Sequence, residues 1–398
     1  MSAKQLARIG AFFLALAGAG PVAFAATAEA PLSESVLSGQ VEGAPQLVLK
    51  RSVDGCEPRF LPDTAATAFR DSAGKVHLFA TWQHNYAMVG PSLDTVKMNC
   101  ALLYKGAKSP DPAAFDDNAW LTSFYTEDGR TIYALAHDEY HGYEHPGKCA
   151  ESAKNRCWYN AITATQSRDG GASFEHPDPA RSLVATIPYR YGDLRMPAGM
   201  FEPTNIVRMG EYYYVMASLL APEKGRSGVC LMRTDHLADA ASWRGWDGKD
   251  FTVKFVNPYA AAAAEPARLC QALAPEVLKW HVTALVHHAK KDVFVAVMQA
   301  TTTFPKNAVS QDGVYIATSP DLVHWSRISL LMPAASKFTY ACGGAEPVAH
   351  PALLDPTAPD RNFTEIGDRP YLYYTLDHPV TCRISTNADL FRVQVTLH

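Results

Sequence analysis

Five stretches of this chain repeat one pattern, a polar turn followed by a short β-branched or aromatic run with period-2 alternation. They are 74–80, 129–135, 210–216, 291–297 and 369–374, and successive starts lie about 55 to 80 residues apart. Isolated hairpins are marginal in water, so a chain that repeats them at this interval must stack four-stranded sheets against one another. Each run leads to a second apolar run and then to a Ser/Thr- and Asp-bearing turn closed by an aromatic. These turns are Ser109-Pro110-Asp111 before Trp120, Ser167 to Phe174, Thr234-Asp235 before Trp243, Ser319 to Trp325, and the weaker Ser385-Thr386-Asn387. An Asp or Ser side chain can bond backbone amides two residues on and fix the turn, while the aromatic packs between sheets. Helical periodicity is scarce, and the tract Ala260 to Ala264 is too short and too Pro-flanked to count as a helix.

The N-terminus carries Lys4 and Arg8, the largely apolar run Ile9 to Ala17, and small residues ending in Ala23-Phe24-Ala25. That is the pattern of a secretory signal, so residues 1–25 are expected to be a leader cleaved near Ala25, and 26–398 a single domain. No later stretch reaches the roughly 20 apolar residues of a membrane span, which places the mature chain outside the cell or in the periplasm. Loss of the two leader cations takes the formal charge from -4 to -6, that is -4 minus 2. Such mild, interspersed acidity does not suit nucleic acid.

All eight cysteines follow the leader, an even number in an oxidising compartment, which predicts four disulfides. There is no Cys-x-x-Cys pair and no odd cysteine to suggest a thiol metal site or nucleophile. Sequential pairing is expected. Cys149 and Cys157 are close enough to span one loop, and Cys56-Cys100, Cys230-Cys270 and Cys342-Cys382 each bracket one or two neighbouring sheets.

Ser167 to Phe174 resembles the Asp-box of sialidase-like propellers, and Ser319 to Trp325 is similar to the repeat turn of five-bladed glycosidases of the arabinanase, xylosidase and invertase type. Met200 to Val207, followed by Gly210 to Tyr214, resembles their general-acid motif, with Glu202 just before an inner strand. Pro62-Asp63 ahead of Ala68 to Asp71 resembles their first-blade aspartate. The resemblance is patchy and covers the repeat cores from about Pro62 to Arg392. The expected fold is all-β, a five-bladed β-propeller with four-stranded antiparallel blades.

In such a ring the residues just before each inner strand, and those at the end of each second strand, converge on one mouth of the channel. The first set is Asp63, Phe124-Tyr125, Glu202, Trp280-His281 and His350. The second is Gln83-His84-Asn85, His137-Asp138-Glu139, Ser218, Gln299 and Asp377-His378. Polar groups recurring at these positions suit a carbohydrate ligand, whose hydroxyls each need a donor or acceptor. Glycoside hydrolysis needs one protonated and one ionised carboxyl. Glu202, flanked by Phe201 and Pro203, is read as the acid with a raised pKa, and Asp63 as the base or nucleophile. The family's further aspartate has no counterpart in Leu121 to Tyr125, so its role falls to Asp138 or Glu139, or to no residue. Substrate contacts are expected from His84, Asn85, Tyr125, His137, His141, Arg195, His281, Gln299, Asp377 and His378.

No cofactor is expected. A divalent cation is the alternative reading of the run His137 to His145, although this follows a strand and lacks the helical His-Glu-x-x-His geometry. Two other functions use the same scaffold. One is a polysaccharide lyase drawing on His84, His137, His281, Tyr125 and Arg195. The other is a non-catalytic carbohydrate-binding propeller. The chain is read as a monomer with a carbohydrate partner.

Overall fold

The structure is a computed structural model that describes residues 33–150, 156–194, 196–260, 268–278, 281–300, 311–337, 339–384 and 386–398. The expected leader and Arg195, Trp280 and Ser385 lie outside the described residues. Among the described residues, no helix is long and apolar enough to cross a membrane.

Strands follow one another as successive antiparallel meanders. After β1 (Gly39–Leu49) comes a sheet of β2 (Thr67–Arg70), β3 (Val76–Phe79), β4 (His84–Gly90) and β5 (Lys97–Lys105). The second meander is β6 (Asn118–Tyr125), β7 (Ile132–His141), β8 (Trp158–Ser167) and β9 (Leu183–Ala185). The third starts with β10 (Ala198–Phe201) and β11 (Val207–Met209), both paired to β12 (Tyr212–Leu220), and continues through β13 (Gly228–Thr234), β14 (Arg244–Gly245) and β15 (Val253–Lys254). A short parallel pairing of β10 with β8 joins the second and third into one sheet.

The fourth meander is β16 (Val282–His288), β17 (Val293–Ala300), β18 (Gly313–Ser319) and β19 (Ser329–Pro333). The last contains β20 (Val348–Leu354), β22 (Tyr371–Asp377) and β23 (Ala388–Leu397), while β21 (Glu365–Ile366) crosses to pair with β16. Its outer position is taken by β1, which pairs with β23 in registers such as Gln46↔Arg392 and Leu47↔Phe391. The first strand of the chain therefore completes the last sheet, covering an edge that would otherwise expose a row of unpaired amides and carbonyls.

Buried side chains stitch the inner strands together in a circuit. Asn85 donates to the Ala119 carbonyl at 2.8 Å and accepts from the Leu121 amide at 2.7 Å. Ser123 donates to the Thr204 carbonyl, Asn205 accepts from the Leu285 amide, Thr283 donates to the Pro351 carbonyl, and Thr375 donates to the Pro62 carbonyl. The path runs from the first meander through each of the others and back. Buried backbone groups at inter-sheet seams need partners, and these short polar side chains provide them. Between the seams the core is aliphatic: Leu78, Val295, Ile316, Leu353, Leu372 and Val395 are fully buried. Each such side chain contributes roughly 1.5–3 kcal/mol.

The repeat turns are fixed as their chemistry suggests. Asp169 accepts from the Ala172 and Ser173 amides, and Asp321 from those of Val323 and His324. Phe174 packs on Phe79 and Phe124, and Trp325 is buried. In the third meander the turn is held by Asp239, which accepts from the Ala241 amide, rather than by Asp235. All four disulfides are present with the expected sequential pairing, Cys56–Cys100, Cys149–Cys157, Cys230–Cys270 and Cys342–Cys382.

Candidate active site

A cleft of about 620 Å³ lies at one end of β6. Its lining includes Asp63, Trp82, Trp120, Glu139, His141, Tyr143 and Trp158, with Arg51 and Arg59 also on its wall. Asp63 sits in the loop before β2, its amide donating to the Thr81 carbonyl at 3.0 Å. Glu202 directly follows β10, with φ at 39°. His350 lies in β20, where a register shift between Ala349 and Ala352 marks a bulge, and has φ at 50°. Left-handed backbone at a non-glycine residue costs of order 1–3 kcal/mol, and bulges re-aim side chains; both features gather where a site must be shaped.

The bulge turns the His350 ring between the two carboxyls. Its Nε2 is 3.8 Å from Asp63 Oδ1 and its Nδ1 is 3.8 Å from Glu202 Oε2. The ring is 4% exposed, whereas the two carboxyl side chains are 29% and 31% exposed, deep but within reach of a ligand. Lys337 Nζ lies 2.8 Å from His350 Nε2.

These surroundings separate the two carboxyls. Burial pushes Asp63 up to about 7; Lys337 opposes this, and the nearby charges of Glu139, Glu202 and Asp377 reinforce it. Burial would also raise Glu202, but His350, His281, Lys337 and His137 outweigh it and hold the carboxyl down at about 2. The apolar flanks Phe201 and Pro203 thus do not set the Glu202 pKa, contrary to the expectation from sequence. Cationic and imidazole groups from other meanders set it instead. Burial and Lys337 depress His350 to about 3, so its ring is uncharged at neutral pH.

Of the other expected site residues, several share this neighbourhood. His137 is buried, bonds Asn160 at 2.6 Å and packs against Trp120 and Phe201. Glu139 takes His141 Nε2 at 2.9 Å, and bonds to Glu139 and Glu144 raise His141 to about 9 against the opposing effect of burial. His281 bonds Ser218 at 2.7 Å. Asp377 is buried, and its charge acts on Asp63.

Others stand apart. Asp138, adjacent to Glu139 on a strand, faces the opposite side, where its carboxylate accepts from the Asp117 amide; burial raises its pKa well above the usual range. Asn85 is consumed by the inter-sheet seam, and Gln299 donates to the Val348 carbonyl at 2.7 Å. His84 pairs with Glu57, and His378 with Glu346 and Asp389. Tyr125 is at the other end of β6, packed edge-on against Tyr213. Lys337, Asn160 and the three tryptophans were not identified from sequence. Trp82 precedes β4 and Trp158 begins β8, as expected mouth positions do, and Trp120, read as a turn-closing aromatic, is the third residue of β6; Lys337 carries no motif. Among the described residues, no group of three or more His, Cys, Asp or Glu is arranged to hold a metal ion.

No protein-family model matches the chain, and no curated protein sequence matches it. Solved structures do. Zg3597, a family 117 glycoside hydrolase produced by the marine bacterium Zobellia galactanivorans, matches at a TM-score of 0.55 and 9% identity, over 91% of this chain and 92% of that one. A mutant of Cellvibrio cellulosa alpha-L-arabinanase matches at a TM-score of 0.45 and 14% identity, over 82% of this chain and 89% of that one. At such identity the first match is a likeness of fold, and it agrees with the all-β propeller that the strand order describes.

Proposed function

We propose that this chain is an extracytoplasmic glycoside hydrolase acting on an oligo- or polysaccharide, with Asp63 and Glu202 as its acid–base pair. The five meanders are the five blades of one ring in this reading, and the cleft is its catalytic mouth. One observation carries it: two accessible carboxyls face opposite edges of one buried imidazole, with their pKa values driven apart. A raised and a depressed carboxyl in one cleft is the arrangement that glycosidic cleavage requires. Near neutral pH, Asp63 holds a transferable proton and Glu202 is ionised. Asp63 is therefore the donor to the leaving oxygen, and Glu202 the group that activates water or attacks the sugar, the reverse of the roles suggested by sequence. Glu139 raises the Asp63 pKa by its charge and so takes the tuning role that lacked a counterpart. Trp82, Trp120, Trp158 and Tyr143 give the cleft the aromatic surface typical of ligand pockets.

The test is a panel of polysaccharides and aryl glycosides with purified protein. New reducing ends without a new absorbing double bond are expected. The double bond would instead mark a lyase, and binding alone a lectin. Asp63→Asn and Glu202→Gln should each lower turnover by roughly 10² to 10⁴-fold with folding intact. The Asp63→Asn loss should shrink on substrates with good leaving groups, and shrinkage in Glu202→Gln instead would return the donor role to Glu202.

A further inference from the structure

Lys337 takes no proton-transfer role in the chemistry above, yet it makes the short polar contact to the ring that separates the pair. Its position is built in. The segment after β19 runs beside the start of β20, with the Val348 amide donating to the Ala335 carbonyl at 2.9 Å and Ser336 bridged to Val348. Gln299 secures the same strand end through the Val348 carbonyl. Two residues on, the bulge presents His350 to the ammonium.

An ammonium has three donors and no acceptor. With Lys337 Nζ 2.8 Å from His350 Nε2, that nitrogen must offer a lone pair, so an uncharged ring carries its hydrogen on Nδ1. The Nδ1–H edge is the one facing Glu202 Oε2, while Asp63 Oδ1 lies toward the edge that Lys337 occupies. Asp63 is also faced by Glu139 and Asp377, and Glu202 by His281 and His137.

We propose that Lys337 is a positioning residue: by occupying Nε2 it locks His350 as the Nδ1–H tautomer and gives the two carboxyls unlike neighbours across one imidazole. Glu202 faces a fixed donor, which favours its ionised form, and Asp63 faces no imidazole hydrogen, so its proton remains available for transfer. The catalytic consequence rests on the hydrolase reading, but the tautomer does not.

Histidine nitrogen NMR of the full mature chain tests it, with His350 assigned by the signal lost in His350→Gln. Wild type should show an uncharged Nδ1–H ring from about pH 5 to 8. In Lys337→Met the tautomers should mix and the titration midpoint should rise from about 3 toward the ordinary imidazole value of about 6.5. Lys337→Arg, which keeps a donor and a charge, should preserve the wild-type spectrum. In assays, Lys337→Met should move the Asp63 limb of the pH–rate profile upward from about 7, because a cation that opposes the rise is gone. An Nε2–H ring in wild type overturns the proposal even if Lys337→Met fails to fold, as does an unchanged ring in a folded Lys337→Met. If the spectra behave as expected while Asp63→Asn and Glu202→Gln keep full turnover, the hydrolase reading fails and the tautomer lock stands.

Discussion

The two ends of β6 open onto two hollows of similar size that treat their charges differently. At the Trp120 end, the cleft of about 620 Å³ is lined by Asp63, which the His350 ring links to Glu202, and both carboxyls have strongly displaced pKa values. At the Tyr125 end, a hollow of about 590 Å³ is also lined by polar residues, including Arg208, His287, Asp292, Asp360 and Glu365. There Asp360 accepts from the amides of Asn362, Thr364 and Glu365, His287 pairs with Asp292, and Arg208 with Glu127. Asp360, bonded by its own local backbone, acts as a turn support, whereas the Arg208–Glu127 pair joins two meanders. At the other end Asp63, His350 and Glu202 meet from distant parts of the chain, while His141 pairs locally with Glu139 and Glu144. Polar enrichment at strand ends is thus common to both hollows, and the carboxyl–imidazole–carboxyl arrangement of Asp63, His350 and Glu202 belongs to the Trp120 end.

The comparison can be broken most directly at Asn85, which sits near the Trp120 end yet is bonded like a structural residue. Asn85→Ala leaves the Ala119 carbonyl and the Leu121 amide without their buried partner. At about 1–3 kcal/mol for each of the two unsatisfied groups, the expected cost is about 2–6 kcal/mol, read by chemical denaturation. KM and kcat of the folded fraction should stay within a few-fold of wild type. A large rise in KM with unchanged stability would make Asn85 a substrate contact after all.

That case shows what the sequence could disclose. The repeats, the turn chemistry and the disulfide pairing follow from local patterns and sequence order, and they were legible. That Asp63, Glu202 and His350 lie near one another was also legible, because position along a repeat fixes which end of a sheet a residue occupies. Which side of a strand a residue faces is a one-residue matter, and Asp138 against Glu139 could not be separated without the register. The protonation order was out of reach because Lys337 and His350 come from remote segments, 135 and 148 positions beyond Glu202 in the chain. Phe201 and Pro203, the neighbours that sequence does show, pointed to the wrong sign.

The second prediction sharpens the comparison through pH. Asp63 is raised from its ordinary 3.8 to about 7, so between these values the folded chain binds a proton that the unfolded chain has released. Its contribution to stability is fully present below about pH 4 and is lost as pH rises through about 7. Asp63→Asn has no such group. The melting temperature of the variant relative to wild type should therefore increase from pH 4 to 7 and then level off. His350, depressed to about 3, acts in the opposite sense in both proteins, costing stability as pH falls below about 6.5, and so largely cancels in the difference. A flat difference would mean that Asp63 titrates normally and that the two hollows are electrostatically alike.

The smallest effect is expected at the rim, where Lys108 Nζ lies 2.7 Å from Glu144 Oε2 with both side chains substantially exposed, 46% and 38%. Such a pair gains little over hydration and contributes about 0–1 kcal/mol, so Lys108→Met should lower stability by less than about 1 kcal/mol. Glu144 is nevertheless held down at about 2, first by its bond to His141 and further, against burial, by Lys108. Its contribution to stability is present above its ordinary 4.5 and lost as pH falls toward 2. Because His141 is the larger cause, that acid limb should survive in Lys108→Met and largely disappear in His141→Gln. If Lys108→Met abolished it, the rim cation and not the imidazole would govern Glu144. The boundary of the cleft's coupled cluster would then lie at the protein surface rather than at the His141 ring.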